Sequence, residues 1–156
     1  MKHAHAARNH YVHLLIMTVL SFVSMYVLMY AMVDRLANIY PNFNQLYMAG
    51  LMTAPMVLIE MAVMGTMYEN KRLNLAIMIA GFVVGLLFFV GIRQQAAVGD
   101  TQFLKSMIPH HASALLMCNE APVADAEIQE LCKTIVAGQQ AEIDQMKAML
   151  ARLGEK

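Results

Sequence analysis

Two adjacent histidines flanked by methionines have the residue types and spacing that best suit metal chemistry. The stretch SMIPHHASALLM covers residues 106–117 and contains Met107, His110, His111 and Met117. On a helix, Met107 lies one turn before His111, and Met117 lies two turns after His110. Thioether and imidazole donors favour a soft, late transition metal, above all Cu(I), whereas Mg²⁺ and Ca²⁺ prefer oxygen. In a purely structural alternative, the histidines decorate a surface helix and the methionines fill a core.

Pro109 directly precedes the two histidines. A proline inside a helix lacks the backbone donor and clashes with the preceding turn. We therefore expect Pro109 to kink the helix, to free a carbonyl near Lys105 and to re-aim the two imidazoles.

Further candidate ligands lie on the last predicted helix. Met146, Glu142 and Cys132 share one stripe at helical periodicity, together with Gln139. Cys132 is predicted to lie level with His111, where its thiolate would join the site, although a small buried hydrophobe is an alternative. Glu142 and Gln139 either orient a histidine or have a structural role, for instance in a subunit contact.

Cys118 and Cys132 are not expected to form a disulfide within one chain. If the turn between the last two helices centres near residue 121.5, the two cysteines are offset by about 10 Å along the helix axis. That offset exceeds the Cα separation of about 7 Å that a disulfide tolerates.

The elements that must position these residues include a membrane region. The chain has 156 residues, of which 59% are hydrophobic and 14% are charged. Three apolar runs are long enough to cross a bilayer: Leu14–Val33, Leu46–Tyr68 and Leu73–Ile92. We therefore predict an all-α protein with a His-containing N-terminus (1–13), a three-helix transmembrane region (14–98) and a helical hairpin (99–156). The net charge is zero, which implies no nucleic-acid partner.

The hairpin consists of two predicted amphipathic helices, Thr101–Asn119 and Ala124–Leu153. The first groups seven residues on one face: Asp100, Phe103, Leu104, Met107, His111, Ala114 and Cys118. The second has a wide apolar stripe: Ile128, Leu131, Cys132, Ile135, Gln139, Glu142, Ile143, Met146, Met149, Leu150 and Leu153. Two helices cover each other only partly, so we predict that a homodimer or larger homo-oligomer completes a four-helix bundle. A Gly81-x-x-x-Gly85 pair in the third span supports close helix association.

Basic residues predict the orientation in the membrane. Lys71 and Arg72 lie in the tight ENKR turn, and the N-terminus also carries positive charge. By the positive-inside rule both lie in the cytoplasm, so the hairpin is extracytoplasmic. The four histidines of MKHAHAARNHYVH are interpreted as a polar flank rather than as a metal site.

Methionines recur every four residues in the second span, at Met48, Met52, Met56 and Met64, with Glu60 among them. Packing is the ordinary role of such a stripe. A sharper hypothesis is a thioether ladder that binds or passes Cu(I), because an ionisable group in lipid usually faces a protein interior.

The pattern D100-x-x-F103…M107-I-P-H-H111…M117, followed by Q139-x-x-E142-I143-x-x-M146, resembles the family called domain of unknown function 305. The similarity covers roughly residues 99–153, and YMAGLM…M-x-x-M-Y-x-N-K resembles its membrane-anchored branch. The resemblance implies a ferritin-like bundle and an association with copper tolerance outside the cytoplasm, with no settled catalytic activity.

These observations lead to a functional prediction. We expect a multi-pass protein of a bacterial inner membrane that binds Cu(I), and also silver, for extracytoplasmic storage, buffering or tolerance. Lipid, a second copy of the chain and copper-handling proteins are the expected partners. The alternatives are a scaffold or accessory subunit and a copper-dependent redox enzyme. No nucleophile–base pair, phosphate loop or cofactor fingerprint in the sequence supports an enzyme.

Overall fold

In a computed structural model, residues 2–154 are described, with side chains from residue 10 onward, and they contain helices and no strand. The α-helices are α1 (Lys2–Leu28), α2 (Phe43–Val63), α3 (Lys71–Arg93), α4 (Asp100–Glu120) and α5 (Ala126–Arg152). Short 3₁₀ turns occupy Met29–Met32, Leu36–Asn38 and Gly65–Met67. The predicted all-α class is confirmed.

The chain divides into two compact units. The membrane unit comprises the described residues up to Leu28 together with Gln45–Ala96, and the hairpin unit comprises Met29–Asn44 together with the chain from Ala97 onward. The stretch Met29–Asn44 belongs to the same compact unit as the hairpin. Within that unit, the side chains of Asn42 and Asn44 donate hydrogen bonds to Lys105 and Ser106 of α4.

The membrane unit contains most of the three predicted apolar helices. His10–Met32, Phe43–Val63 and Lys71–Arg93 are each long and apolar enough to cross a membrane. The three-span prediction is therefore confirmed at the level of length and composition.

Small residues let α2 and α3 approach closely in the membrane unit. A Cβ atom added at Gly85 would lie 3.0 Å from the Cβ of Ala54, and one at Gly81 would lie 3.2 Å from Leu58. The Gly-x-x-x-Gly pair, which the sequence suggested for contacts between copies, is thus used for packing within one chain.

A polar cluster lies at one end of the membrane unit. The Tyr11 hydroxyl donates to Asn74 Oδ1 at 2.7 Å, and the Asn74 amide donates to the carbonyl of Tyr68 at 2.9 Å. The Tyr68 hydroxyl donates to Glu60 Oε1 at 3.3 Å. Glu60 is half-buried and has a protein partner, as the sequence predicted.

The hairpin unit has a core formed between α4 and α5. Its buried residues are Leu104, Ile108, Ala112 and Leu115 on α4, and Ile143, Met146 and Leu150 on α5. On α4 this face is rotated from the one grouped by sequence, since Phe103 is exposed while Ile108 is fully buried. Met107 and His111 therefore lie beside the core rather than at its centre.

The linker between α4 and α5 sets the start of α5. Ala121 and Asp125 both have extended backbone. Asp125 caps α5, because its Oδ1 accepts from the amides of Glu127 and Ile128 at 2.9 and 3.0 Å. Helix α5 consequently begins at Ala126, two residues later than predicted.

Candidate metal site

Helix α4 continues unbroken through the buried Pro109. The carbonyl of Lys105, which the proline cannot bond, accepts from the Asn42 side-chain amide at 3.3 Å. The Asn44 amide donates to Ser106 Oγ at 3.2 Å one residue further along α4. The segment before α2 therefore satisfies the carbonyl that the sequence predicted to be freed.

A cavity of about 300 Å³ lies at the surface of the hairpin, between α4 residues on either side of Pro109 and the facing residues of α5. Its walls combine an aromatic ring, three thioethers, an imidazole and a carboxylate. The lining residues of this space, called the Met/His cavity below, are Phe103, Leu104, Met107, His111, Glu142, Gln145, Met146 and Met149.

Two hydrogen bonds fix the His111 ring. Its Nδ1 lies 3.0 Å from the Met107 carbonyl, and its Nε2 lies 2.7 Å from Glu142 Oε2. A carbonyl oxygen only accepts, so Nδ1 carries a hydrogen and donates it. In the neutral ring, Nε2 holds the lone pair that a metal would use.

The two partners in this pair differ in exposure. The His111 side chain is 12% exposed, whereas that of Glu142 is 60% exposed. The imidazole is therefore held in place by its surroundings, and the carboxylate is free to move aside. Glu142 does not lie at a core position, which corrects its predicted place on the buried stripe.

Four of the seven predicted ligands line this cavity: Met107, His111, Glu142 and Met146. His110 is exposed, and its ring centroid lies 6.0 Å from that of His111. Met117 is 52% exposed and lies outside the cavity lining. Consecutive helical residues project about 100° apart, which explains why His111 faces the cavity and His110 does not.

Met149 was missed as a candidate ligand. It lies three residues after Met146 on the same face of α5, so the helical spacing of the two methionines was the available signal. Among the residues that the structure describes, no three His, Cys, Asp or Glu side chains converge. The cavity's donors are instead one imidazole, one carboxylate and three thioethers.

Cys132 does not line the Met/His cavity. The predictions that it lies level with His111 and that it is offset from Cys118 by about 10 Å are both wrong. It lines a second cavity together with Cys118. The predicted offset of 10 Å is wrong because the true register of α4 against α5 places Glu142, not Cys132, beside His111. Both cysteines are free thiols in this structure.

The other predicted features lie away from the Met/His cavity. In the second span, Met48, Met52 and Met64 are exposed on the surface of the membrane unit. The cavity within that unit, about 470 Å³ in volume, is lined by neither methionine nor Glu60. The side chains of His3 and His5 fall outside the described residues.

Fold and site together define a class: an all-α chain with three membrane-length helices and a helical hairpin that carries a Met/His cavity. The chain belongs to the family described as domain of unknown function (DUF305), whose match covers residues 52–150. The match begins within α2, at the last residue of the YMAGLM stretch, so it includes α3 and most of α2 as well as the hairpin.

A curated relative has comparable length. The uncharacterized protein L153 of Acanthamoeba polyphaga mimivirus is 30% identical over 140 residues, covering 88% of this chain and 90% of the relative. The similarity therefore includes the membrane-length helices as well as the hairpin. No solved structure matches the chain significantly.

Proposed function

We propose that this protein is a membrane-anchored binding protein for soft monovalent ions, Cu(I) and Ag(I). Its role would be extracytoplasmic storage, buffering or tolerance of copper, and no catalytic turnover is invoked. The observation that carries the proposal is that Met107, Met146 and Met149 line the same cavity as the imidazole of His111, whose Nδ1 contacts the Met107 carbonyl.

The chemistry of these donors fits a soft ion. Thioether sulfur is a soft ligand, and neutral imidazole binds copper well. The bond from Nδ1 to the Met107 carbonyl leaves Nε2 as the nitrogen available to the ion. Binding would displace Glu142 from Nε2, and the carboxylate would remain nearby as a negative charge that favours a cation.

A second copy of the chain is part of the proposal. Ile128, Leu131 and Leu153 are exposed on α5, although they belong to its apolar stripe. Gln139 Oε1 is buried and accepts no hydrogen bond from the described residues. A two-fold dimer would cover the exposed stripe and could supply a donor to Gln139, giving a ferritin-like four-helix bundle.

Orientation can be tested on intact bacterial cells. Glu127→Cys places a thiol at an exposed position, in a background where the two native cysteines are serine. An impermeant thiol reagent should label it without lysis if the hairpin is extracytoplasmic. Labelling that requires lysis would reverse the proposed topology.

The adjacent histidines provide a matched pair for testing the site. His111→Ala should weaken Ag(I) binding by the purified full chain, because it removes the nitrogen donor of the cavity. His110→Ala should change it little, because that ring is exposed outside the cavity. Competition titration against a chromophoric Ag(I) chelator measures both, and circular dichroism checks that the helices persist.

The methionines provide a second pair. Met146→Leu conserves hydrophobic volume and removes a soft donor, so it should weaken binding, whereas Met117→Leu outside the cavity should not. Equal affinities for all four variants and the original chain would refute the proposed site and favour a scaffold role.

A further inference from the structure

Two thiols from different helices meet in a second cavity of the hairpin unit. Cys118 on α4 and Cys132 on α5 both line a space of about 450 Å³. Each is half-buried, so both are held by the fold while the cavity stays open to solvent. The rest of the wall consists of Asn119, Ala121, Val123, Gln129, Lys133, Val136 and Ala137.

This cavity is separate from the Met/His cavity. The two share no lining residue. Cys118 lies seven residues after His111 on the same helix, which is about 10 Å along its axis. A ligand bound by the cysteines would therefore make no contact with the donors around His111.

From this geometry we infer that Cys118 and Cys132 form a two-thiolate binding site for a soft monovalent cation, with Cu(I) and Ag(I) as its ligands. Thiolates select soft ions, and Cu(I) is the first-row ion with the strongest preference for them. Both thiols line the same small space, and two sulfurs bound to one ion with bonds of about 2.3 Å lie at most about 4.6 Å apart, so one ion can join them across the cavity. Zinc would require four ligands in a structural site.

The protonation of the pair sets how the ion binds. The hydrogen bond with Cys132 raises the pKa of the Cys118 thiol, and burial and then the charge of Cys132 raise it further. An ordinary cysteine thiol has a pKa of about 8.5 and is mostly protonated near neutral pH. Binding breaks two S–H bonds, forms two S–metal bonds and releases two protons, with no change in oxidation state.

The resulting complex carries one negative charge, from two thiolates and one monovalent cation. Lys133 lines the same cavity and is the cation nearest in sequence to Cys132. Its Nζ lies 3.0 Å from Glu130 Oε2 in an exposed pair, so part of its charge is already offset. The open wall lets solvent stabilise the rest.

The inference adds a second ion to the proposed function but rests on different residues. Its test uses the full chain in detergent, reduced with a phosphine and titrated anaerobically with Ag(I). The original chain should bind two ions tightly. Cys118→Ser, Cys132→Ser and the double variant should each bind one, because a two-coordinate site does not survive loss of either sulfur. Ala137→Ser, in the same wall, should still bind two.

Three further measurements make the assignment specific. The ion lost in the cysteine variants should be the one whose uptake releases two protons in unbuffered solution. A thiol reagent should modify both cysteines before Ag(I) is added and neither after one equivalent occupies the pair. His111→Ala should retain this protected pair while losing the other ion.

The outcomes separate this inference from the proposed function. If His111→Ala still binds two ions and the cysteine variants bind one, the Met/His site of the proposed function is refuted and the two-thiolate site stands. If the double cysteine variant, folded by circular dichroism, still binds two ions, the two-thiolate site is refuted. A pair that oxidises readily to a disulfide but binds no ion when reduced would also overturn it.

Discussion

The contact between Asn42 and the carbonyl of Lys105 makes a quantitative prediction about Pro109. Because Pro109 has no N–H, Lys105 receives no backbone bond from that position, and the Asn42 amide donates to it at 3.3 Å. The same amide also donates to the carbonyl of Tyr40 at 2.9 Å. Asn42→Ala removes both bonds. In a Pro109→Ala background, the new N–H of residue 109 can bond Lys105 instead.

The magnitude follows from counting those bonds. A neutral hydrogen bond contributes about 0.5–1.5 kcal/mol net. Asn42→Ala alone should therefore destabilise the hairpin unit by about 1–3 kcal/mol. In the Pro109→Ala background the Lys105 carbonyl has another donor, so the cost of Asn42→Ala should fall by the value of one bond, about 0.5–1.5 kcal/mol. The coupling between the two positions is the difference, about 1 kcal/mol.

Hydrogen exchange of buried α4 amides, such as that of Ile108, measures the free energy of opening of the hairpin unit. Asn44→Ala is the control, because it removes the bond to Ser106 Oγ and should be additive with Pro109→Ala. The proposed role of Asn42 is refuted if Asn42→Ala changes the free energy of opening by the same amount in the two backgrounds, within about 0.3 kcal/mol.

Three more predictions concern other parts of the chain. Gly50→Ala should lower the thermal midpoint in detergent, because its Cβ would overlap a phenylalanine ring of α3, whereas Gly65→Ala meets no atom within 4 Å and should not. Burial would raise the pKa of Asp34, but hydrogen bonds from neighbouring side chains outweigh it and the pKa lies below 3.8. The Asp34 carboxylate therefore stabilises the folded state above about pH 3.8, and this stabilisation is lost as the pH falls through the lower folded pKa. Acid unfolding, followed by circular dichroism, should be less steep for Asp34→Asn. Glu60→Gln keeps the acceptor for Tyr68 and should assemble normally, whereas Glu60→Leu should lower the thermal midpoint.

The secondary structure was largely predictable because its signals are local. Apolar runs of membrane length gave α1, α2 and α3, and the residue pattern of the hairpin gave α4 and α5 within two residues at each end. The role of residues 29–44 was not predictable, because it depends on contacts with α4 that are distant in sequence. Asn42 and Lys105 are 63 residues apart.

The site was predictable where a single helix determines it. Met107 and His111 are one turn apart, and both line the same cavity. The sequence could not decide between His110 and His111, since that choice depends on which face of α4 packs on α5. Ile108 and Ala112 are fully buried in that contact, which leaves His111 at its edge and His110 in solvent.

The register between α4 and α5 is the feature that local signals could not supply, and it has the largest consequences. The contact between His111 and Glu142 places the end of α4, at Glu120, level with about residue 133. The first two turns of α5 therefore extend beyond α4, which explains why Ile128 and Leu131 are exposed. The apolar stripe continues through this extension without interruption, so composition gives no sign of where the contact with α4 ends. The same register brings Cys132 to Cys118 and leaves an apolar surface that a second copy of the chain is suited to cover.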